Sequence, residues 1–376
     1  MTVSLAMIVR DEEHTLGRCL ASVAGAFDEV VVVDTGSRDA TKEVALGHGA
    51  RLFDFEWVDD FAAARQFAFD RATSAWVAWL DADDIVTNPA HIRRAVSAAA
   101  PDVAGFEWRY VSERDARGDA TCEFWRERCV RNDGTFRWQG RVHEVLVPAR
   151  PRALARDHAV VVEHRPERSR AGEKNERNLR ILESELRAAG DEADPRLLFY
   201  LGNEYASAGR ARRAVACYRK YLRVATWDDE RYRAQTRLAG LLRAAGRFDE
   251  AVEADLRSLK VCPHWPDAYF GLAETYYHLR DWHKVVHWCE VGRAMPRPDT
   301  PLFVNPLDHS FNWIIFYTNA LYHLGETEEA LRWTRRALEL RPDDAWHREN
   351  FLLFAGALSG GGAAGARAAE PAGAAA

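Results

Sequence analysis

The chain has 376 residues with 51 Lys+Arg against 57 Asp+Glu, long enough for two domains with cores and too evenly charged for a nucleic-acid binder. Six dispersed cysteines without a Cys-x-x-Cys pair argue against a zinc site or a disulfide framework and fit reduced thiols in a cytoplasmic protein. No apolar run of about 18 residues occurs and the first residues enter a strand, so neither a membrane span nor a signal peptide is expected.

Residues 3–9 read as a short apolar strand, halted by Arg10, Asp11, Glu12 and Glu13. Residues 15–24 carry Leu16, Cys19, Leu20 and Val23 at helical spacing. A second strand, residues 29–33, is nearly continuous valine, as expected of a parallel strand covered on both faces. It ends in Asp34-Thr35-Gly36-Ser37-Arg38-Asp39-Ala40-Thr41, a polar turn rich in helix-capping residues. Residues 50–55 predict a third strand and residues 62–72 a helix. A fourth strand, Val77-Ala78-Trp79-Leu80, then runs into Asp81-Ala82-Asp83-Asp84. This βαβαβαβ order predicts an α/β domain with a Rossmann-like, mostly parallel sheet and right-handed crossovers. No Gly-x-Gly-x-x-Gly follows the first strand and no Gly-Lys-Ser/Thr loop is present, which disfavours dinucleotide and ordinary NTP sites.

Farther on, Phe136 to Glu144 is an aromatic-rich stretch ending in His143-Glu144, and Val160-Val161-Val162-Glu163-His164 is a strand ending in His. A basic connector follows, then an amphipathic helix over residues 173–188 with Leu179, Ile181, Leu182 and Leu186 on its apolar side. Gly209, Gly246, Arg280 and Gly325 next mark turns between paired helices at offsets of 37, 34 and 45 residues. That brackets the ~34-residue tetratricopeptide period, with an insertion before the last repeat. Pro263, Pro296 and Pro342 fall where second helices must stop. The expected organisation is a domain over residues 1–165, a helical linker over 166–194, an all-α repeat solenoid over 195–358 and a disordered Gly/Ala-rich tail over 359–376.

Carboxylates at a strand's C-terminal end suit a hard divalent cation, because Mg²⁺ or Mn²⁺ on a nucleotide diphosphate takes one or two protein carboxylates plus phosphate oxygens. Asp81 and Asp83 are the candidates. Asp34, at another strand end, suits a ribose hydroxyl or a base N–H; the alternative is a turn or N-cap carboxylate. Asp11 or Glu12 could meet the base edge. Asp60 and Arg65 sit five residues apart where a loop enters a helix; the plain alternative to a site role is a local ion pair, worth little at a surface. Among the tryptophans, Trp125 and Trp138 are the candidates for stacking on a sugar, and Trp282, Trp288, Trp313 and Trp333 fall at core spacing.

Four segments resemble family 2 glycosyltransferases of the GT-A fold: Met7-Ile8-Val9-Arg10-Asp11-Glu12-Glu13, Val30 to Thr41, Trp57-Val58-Asp59-Asp60-Phe61-Ala62-Ala63-Ala64-Arg65-Gln66, and Trp79-Leu80-Asp81-Ala82-Asp83-Asp84. They are similar above all to a bacterial subgroup that joins this domain to tetratricopeptide repeats and includes peptide S-glycosyltransferases. Lys174-Asn175-Glu176-Arg177-Asn178 also matches that subgroup. Arg10 stands for its Lys, Asp11 for its Asn, Gln66 for its Asn and Asp84 for its Glu.

The resemblance implies an inverting transfer from a nucleotide-diphosphate sugar, UDP-linked as the expected form, to a peptide, glycan or small-molecule acceptor, with Mn²⁺ or Mg²⁺ as cofactor. It implies a metal held by Asp81, Asp83 and His164. Arg10, Asp11, Glu12, Asp34, Asp60, Arg65 and Asp81 would surround the nucleotide-sugar. Glu144 would be the catalytic base, with a salt bridge to Arg141 or Arg137 as its alternative role, and His143 an orienting neighbour or phosphate contact. The repeats would offer a concave surface to the acceptor or a protein partner, or else a homodimer contact or a brace. The alternative reading is a catalytically degenerate domain that serves as a scaffold for repeat-mediated protein binding.

Overall fold

The computed structural model of the chain describes residues 1–167 and 171–359. The tail from residue 360 and residues 168–170 of the basic connector lie outside them. The chain divides into two compact units. Unit 1 is Met1–Ala193 with Thr300–Val304, and unit 2 is Asp194–Asp299 with the chain from Asn305 onward. No helix among the described residues is long and apolar enough to cross a membrane.

In unit 1, β1 (Val3–Val9), α1 (Leu16–Ser22), β2 (Glu29–Asp34), α2 (Thr41–Gly47), β3 (Arg51–Asp54), α3 (Phe61–Phe69) and β4 (Trp76–Trp79) alternate as expected. β1 pairs in parallel with β2 and β4, and β2 with β3. Beyond them come β5 (Asp84–Thr87), α4 (Ala90–Ala98), β6 (Val103–Arg114), β7 (Ala120–Arg131), β8 (Phe136–Gln139), β9 (Val145–Pro148), β10 (Ala153–His164) and α5 (Ala171–Ala189). The sheet runs β3-β2-β1-β4-β7-β6-β10-β5, with β8 and β9 as a separate ribbon. β10 is parallel to β6, but β7 is antiparallel to β4 and β6, and β10 to β5. This half of the sheet is therefore mixed. The short Asp115–Asp119 turn, closed by two backbone hydrogen bonds, permits only an antiparallel return.

Side-chain alternation divides the core between the two faces. Leu5, Met7, Val9 and Val32 pack with Leu16, Cys19 and Leu20 of α1 and Ile92 and Val96 of α4. Ala6, Val31 and Val33 pack with Ala62, Ala68 and Phe69 of α3 and with Phe136, Trp138 and Leu146 of the ribbon. The valine run of β2 is thus buried on both sides. The helix expected as a linker belongs to unit 1, where it buries Leu179, Ile181 and Leu182.

Unit 2 is a series of helical hairpins: α6 (Arg196–Ser207) with α7 (Ala211–Tyr221), α8 (Asp228–Ala244) with α9 (Phe248–Val261), α10 (Asp267–His278) with α11 (Trp282–Arg293), and α13 (Ile314–His323) with α14 (Thr327–Leu340). The insertion before the last pair contains α12 (Pro306–Ser310), and α15 (Ala345–Leu358) follows the last. Each hairpin turns on a left-handed residue: Gly209 (φ 69°), Gly246 (φ 70°), Arg280 (φ 58°) and Gly325 (φ 84°). The period and these turns make unit 2 a tetratricopeptide-type solenoid.

Candidate active site

The site grows from the turn that β4 enters. Asp84 N–H donates to the Asp81 carbonyl (3.1 Å), and Asp81 N–H donates to Asp84 Oδ2 (3.0 Å). Asp84 is fully buried and also accepts from Arg128 Nη1 (3.1 Å) and the Tyr110 hydroxyl (3.2 Å). Burial pushes its pKa up against the pull of Arg128. With its oxygens occupied, Asp84 clamps the turn, and Asp83, also buried, is left to line the adjoining cleft.

The β10–β5 ladder sets His164 opposite Asp84, and Arg165 N–H donates to the Asp83 carbonyl at 2.8 Å. His164 Nδ1 consequently lies 3.3 Å from Asp83 Oδ1 and 3.7 Å from Asp84 Oδ1. Burial disfavours a charged imidazole there, but the two carboxylates outweigh it and push the His164 pKa up to about 10. Asp83 is held below the usual carboxylate range, because His164 and Lys174 overcome the effect of its burial. Among the described residues, Asp83, Asp84 and His164 can offer ligand atoms within 4.8 Å of one another. His164 Nδ1 is buried and makes no well-aligned hydrogen bond. An oxygen and a nitrogen donor aimed into one space fit Mn²⁺ or Mg²⁺.

Asp81 is turned another way. Its Oδ1 accepts from Arg65 Nη2 at 2.5 Å, while Arg65 Nε donates to Glu144 Oε1 at 2.6 Å. One buried guanidinium therefore joins the acidic turn to the His143-Glu144 segment, stacked over Trp79 (4.4 Å) and Trp138 (5.2 Å). Burial opposes the charge on Asp81, but Arg65 and Arg128 overcome it and hold the carboxyl well below its usual range. Glu144 is 8% exposed, and its partner is Arg65 in place of Arg141 or Arg137. His143 is exposed, at φ 56°, in the turn between β8 and β9. Trp138 lies in the core against Trp79 and Phe69.

The β1 and β2 ends lie side by side. Asp34 is buried; its Oδ1 accepts from Gly36 and Ser37 N–H at 3.0 Å each, and its Oδ2 is buried without a hydrogen-bond partner. Asp11 accepts from Arg38 N–H (2.7 Å), and Glu12 N–H donates to Thr41 Oγ1 (2.7 Å). Asp60 caps α3 by accepting from Ala63 N–H at 2.9 Å. A cleft of about 230 Å³ is lined by Arg10, Glu12, Thr35, Arg65, Asp81, Asp83 and His164. Asp11, Asp34, Asp60, His143 and Glu144 stand outside its lining.

Two cations that the motifs did not single out complete the cleft. Lys174 Nζ lies 3.2 Å from Asp83 Oδ2, and Arg177 lies over the Phe61 ring at 4.8 Å. α5 is tied down beside them by Arg180, whose guanidinium grips Asp59 through two bonds of 2.6 and 2.9 Å. That grip lowers the Asp59 pKa to about 2. Their one sequence signal is the run from Lys174 to Asn178.

Residues 4–143 match the family model described as Glycosyl transferase family 2. A TPR repeat-containing protein of Synechococcus elongatus is 39% identical over 144 residues, covering 38% of this chain and 35% of that protein. The SPbeta prophage-derived glycosyltransferase SunS of Bacillus subtilis is 25% identical over 219 residues, 54% of this chain and 49% of its own length. The lipopolysaccharide core biosynthesis glycosyltransferase LpsC of Rhizobium meliloti is 28% identical over 160 residues, 39% of this chain and 58% of its own. The chain thus spans between about a third and three fifths of the length of these relatives. A GT-A-type sheet whose strand ends carry Asp34, Asp83 and His164, followed by tetratricopeptide-type hairpins, agrees with that match, and the N-terminal domain belongs to glycosyl transferase family 2.

Proposed function

We propose that unit 1 transfers a glycosyl group from a nucleotide-diphosphate sugar, UDP-linked, to a nucleophile on an acceptor, with inversion, and that the repeats select the acceptor. The observation that carries this reading is the meeting of Asp83 and His164 (3.3 Å) in a cleft that also holds Arg10, Arg65, Lys174 and Arg177. Asp83 and His164 would hold Mn²⁺ or Mg²⁺. When bound, such an ion offsets the negative charge of the departing diphosphate.

The chain's own residues supply the rest. Asp34 and Glu12, at the ends of β1 and β2, suit the ribose and base, with Asp11 and Arg10 beside them. Lys174 and Arg177 suit the phosphates as fixed positive charge. The acceptor's lone pair forms the new bond at the anomeric carbon while the old glycosidic bond leaves with its electrons on the diphosphate. Glu144 takes the acceptor proton. Its Oε2 accepts no hydrogen bond among the described residues, which leaves that oxygen for the proton. Arg65 holds Glu144 and Asp81 in register. Six free cysteines fit a cytoplasmic setting.

A screen of nucleotide-sugars for hydrolysis with and without Mn²⁺ tests this reading. Wild-type protein should hydrolyse at least one donor, and Asp83→Ala or EDTA should abolish that activity without unfolding. Full activity in EDTA would sink the metal assignment. A second reading, a scaffold without catalysis, is favoured by the internal pairing of Asp81 and Glu144 with Arg65, and it predicts no turnover of any donor.

A further inference from the structure

Unit 2 holds a cavity of its own, of about 500 Å³. It lies among α10, α12, α13 and α15. The 45-residue spacing before the last repeat places α12 beside α10, and Asp308, Phe311 and Asn312 from that insertion line the space.

One wall is aromatic: Phe270 and Trp313 stack with planes 4° apart and centroids separated by 5.8 Å. The polar lining is acidic, with Asp267, Glu274, Asp308 and Asp344 against Arg243 and Arg341. Arg243 is committed to Glu274 (2.8 Å) and Asp255 (3.5 Å), and Arg341 lies over the Phe311 ring at 4.9 Å. Asp267 Oδ1 takes Arg233 at 2.7 Å, but its Oδ2 is buried with no hydrogen-bond partner. His347 is 1% exposed, and burial lowers its pKa, so the ring is neutral. Its Nδ1 lies 2.7 Å from Asp344 Oδ1 and so carries the proton, leaving Nε2 as a buried acceptor without a partner. Burial also pushes the Asp308 carboxyl up to about 6, although Asn312 and Asn305 donate to it.

Buried acceptors left open are costly unless a ligand satisfies them. Acceptors beside aromatic faces call for a ligand that donates hydrogen bonds and carries positive charge. The indole N–H of Trp346, also buried without a partner, lacks an acceptor such as a peptide carbonyl. We infer that this cavity binds a lysine or arginine side chain of a peptide, its charged head at Asp267 and Asp308 and its stem along Phe270 and Trp313. The inference concerns unit 2 alone and stands whether or not unit 1 transfers sugar.

Calorimetric titration of the full chain with acetyl-Gly-Ala-Xaa-Ala-Gly-amide peptides, where Xaa is Arg, Lys, citrulline or Glu, tests it. Citrulline keeps the shape of arginine without the charge. The Arg and Lys peptides should bind saturably, and the citrulline and Glu peptides at least ~10-fold more weakly, as expected for hydrogen bonds to charged groups. Asp308→Asn should cost the Arg peptide a similar factor while its melting temperature is not lowered. If that variant fails to fold, Glu274→Gln, with the same expected loss, decides. Indistinguishable peptides, no binding at millimolar concentration, or wild-type affinity in the folded variant would each overturn the assignment.

Discussion

Arg65 shows how a single side chain can set the electrostatics of unit 1. Its Nε and Nη2 reach Glu144 and Asp81 at once, a two-sided reach that a lysine ammonium cannot copy. Removing one partner of a buried ion pair costs about 3–5 kcal/mol, so Arg65→Ala should lower unfolding free energy by about that much in a urea titration. Glu144→Gln keeps the shape and should fold. It should lower turnover by roughly 10²-fold with little change in donor affinity, as for loss of a general base. If that variant instead loses donor binding and keeps its turnover at saturation, the base lies elsewhere.

Asp308 gives a pH prediction of opposite character. Burial raises its folded pKa to about 6 from the usual 3.8, with Asp267 and Glu274 reinforcing the shift and Asn312 and Arg233 opposing it. The folded state therefore binds the proton more tightly than the unfolded chain. The stability this contributes is full below about pH 3.8 and is lost as pH rises through about 6. Asp308→Asn should accordingly melt higher than wild type at pH 7.5, and the gap should close in acid. A lower melting temperature at pH 7.5 would contradict it. Asp83 and His164 were legible as strand ends carrying metal-type ligands. The partners of Arg65 were not, since they lie 16 and 79 residues away. The nearby Asp60, expected beside the nucleotide-sugar with a local ion pair as the alternative, accepts from an amide at the start of α3, where helix N–H groups lack partners.

Among the elements, the repeat turns were the most legible, because a left-handed residue every three or four dozen positions leaves a glycine signal. Arg280 is the exception, exposed and at φ 58°. Arg280→Gly should stabilise unit 2 by about 1 kcal/mol, the cost of the left-handed conformation for a residue with a Cβ, read as a higher melting temperature. Gly202 is held for a different reason: a Cβ there would lie 2.6 Å from Tyr218 Cε1. Gly202→Ala should destabilise by about 1–3 kcal/mol through overpacking between α6 and α7, and an unchanged denaturation midpoint would contradict that contact. The β6–β7 hairpin was less legible. Its inward Phe106, Trp108 and Tyr110 alternate with Glu107 and Arg109, but ion pairs such as Arg156–Glu107 at 3.2 Å let charged residues sit within the sheet.

For the molecule as a whole, the change from alternating strands and helices to a period of about 34 residues marks two architectures in the sequence itself. The point of division was less evident, because α5 reads as an isolated amphipathic helix yet packs within unit 1, and because Thr300–Val304 returns there. Val304 pairs with Glu123 through backbone bonds of 2.8 and 2.9 Å. Protein ending at Ala193 would lose that pairing along with unit 2. Provided it is folded and monodisperse, it should still hydrolyse donor but transfer poorly to its natural acceptor. Transfer at the parent rate would make the repeats a brace.

The central claim is that unit 1 binds a nucleotide diphosphate through a cation held by Asp83 and His164. Thermal unfolding with UDP, Mn²⁺, both or neither, on wild type and Asp83→Asn, tests it most directly, because a ligand bound only by the folded state raises its melting temperature. Wild type should gain more from UDP and Mn²⁺ together than from the two added singly, and Asp83→Asn should lose that extra gain. A wild-type protein without a metal-dependent shift, or a variant with the full shift, would contradict the account.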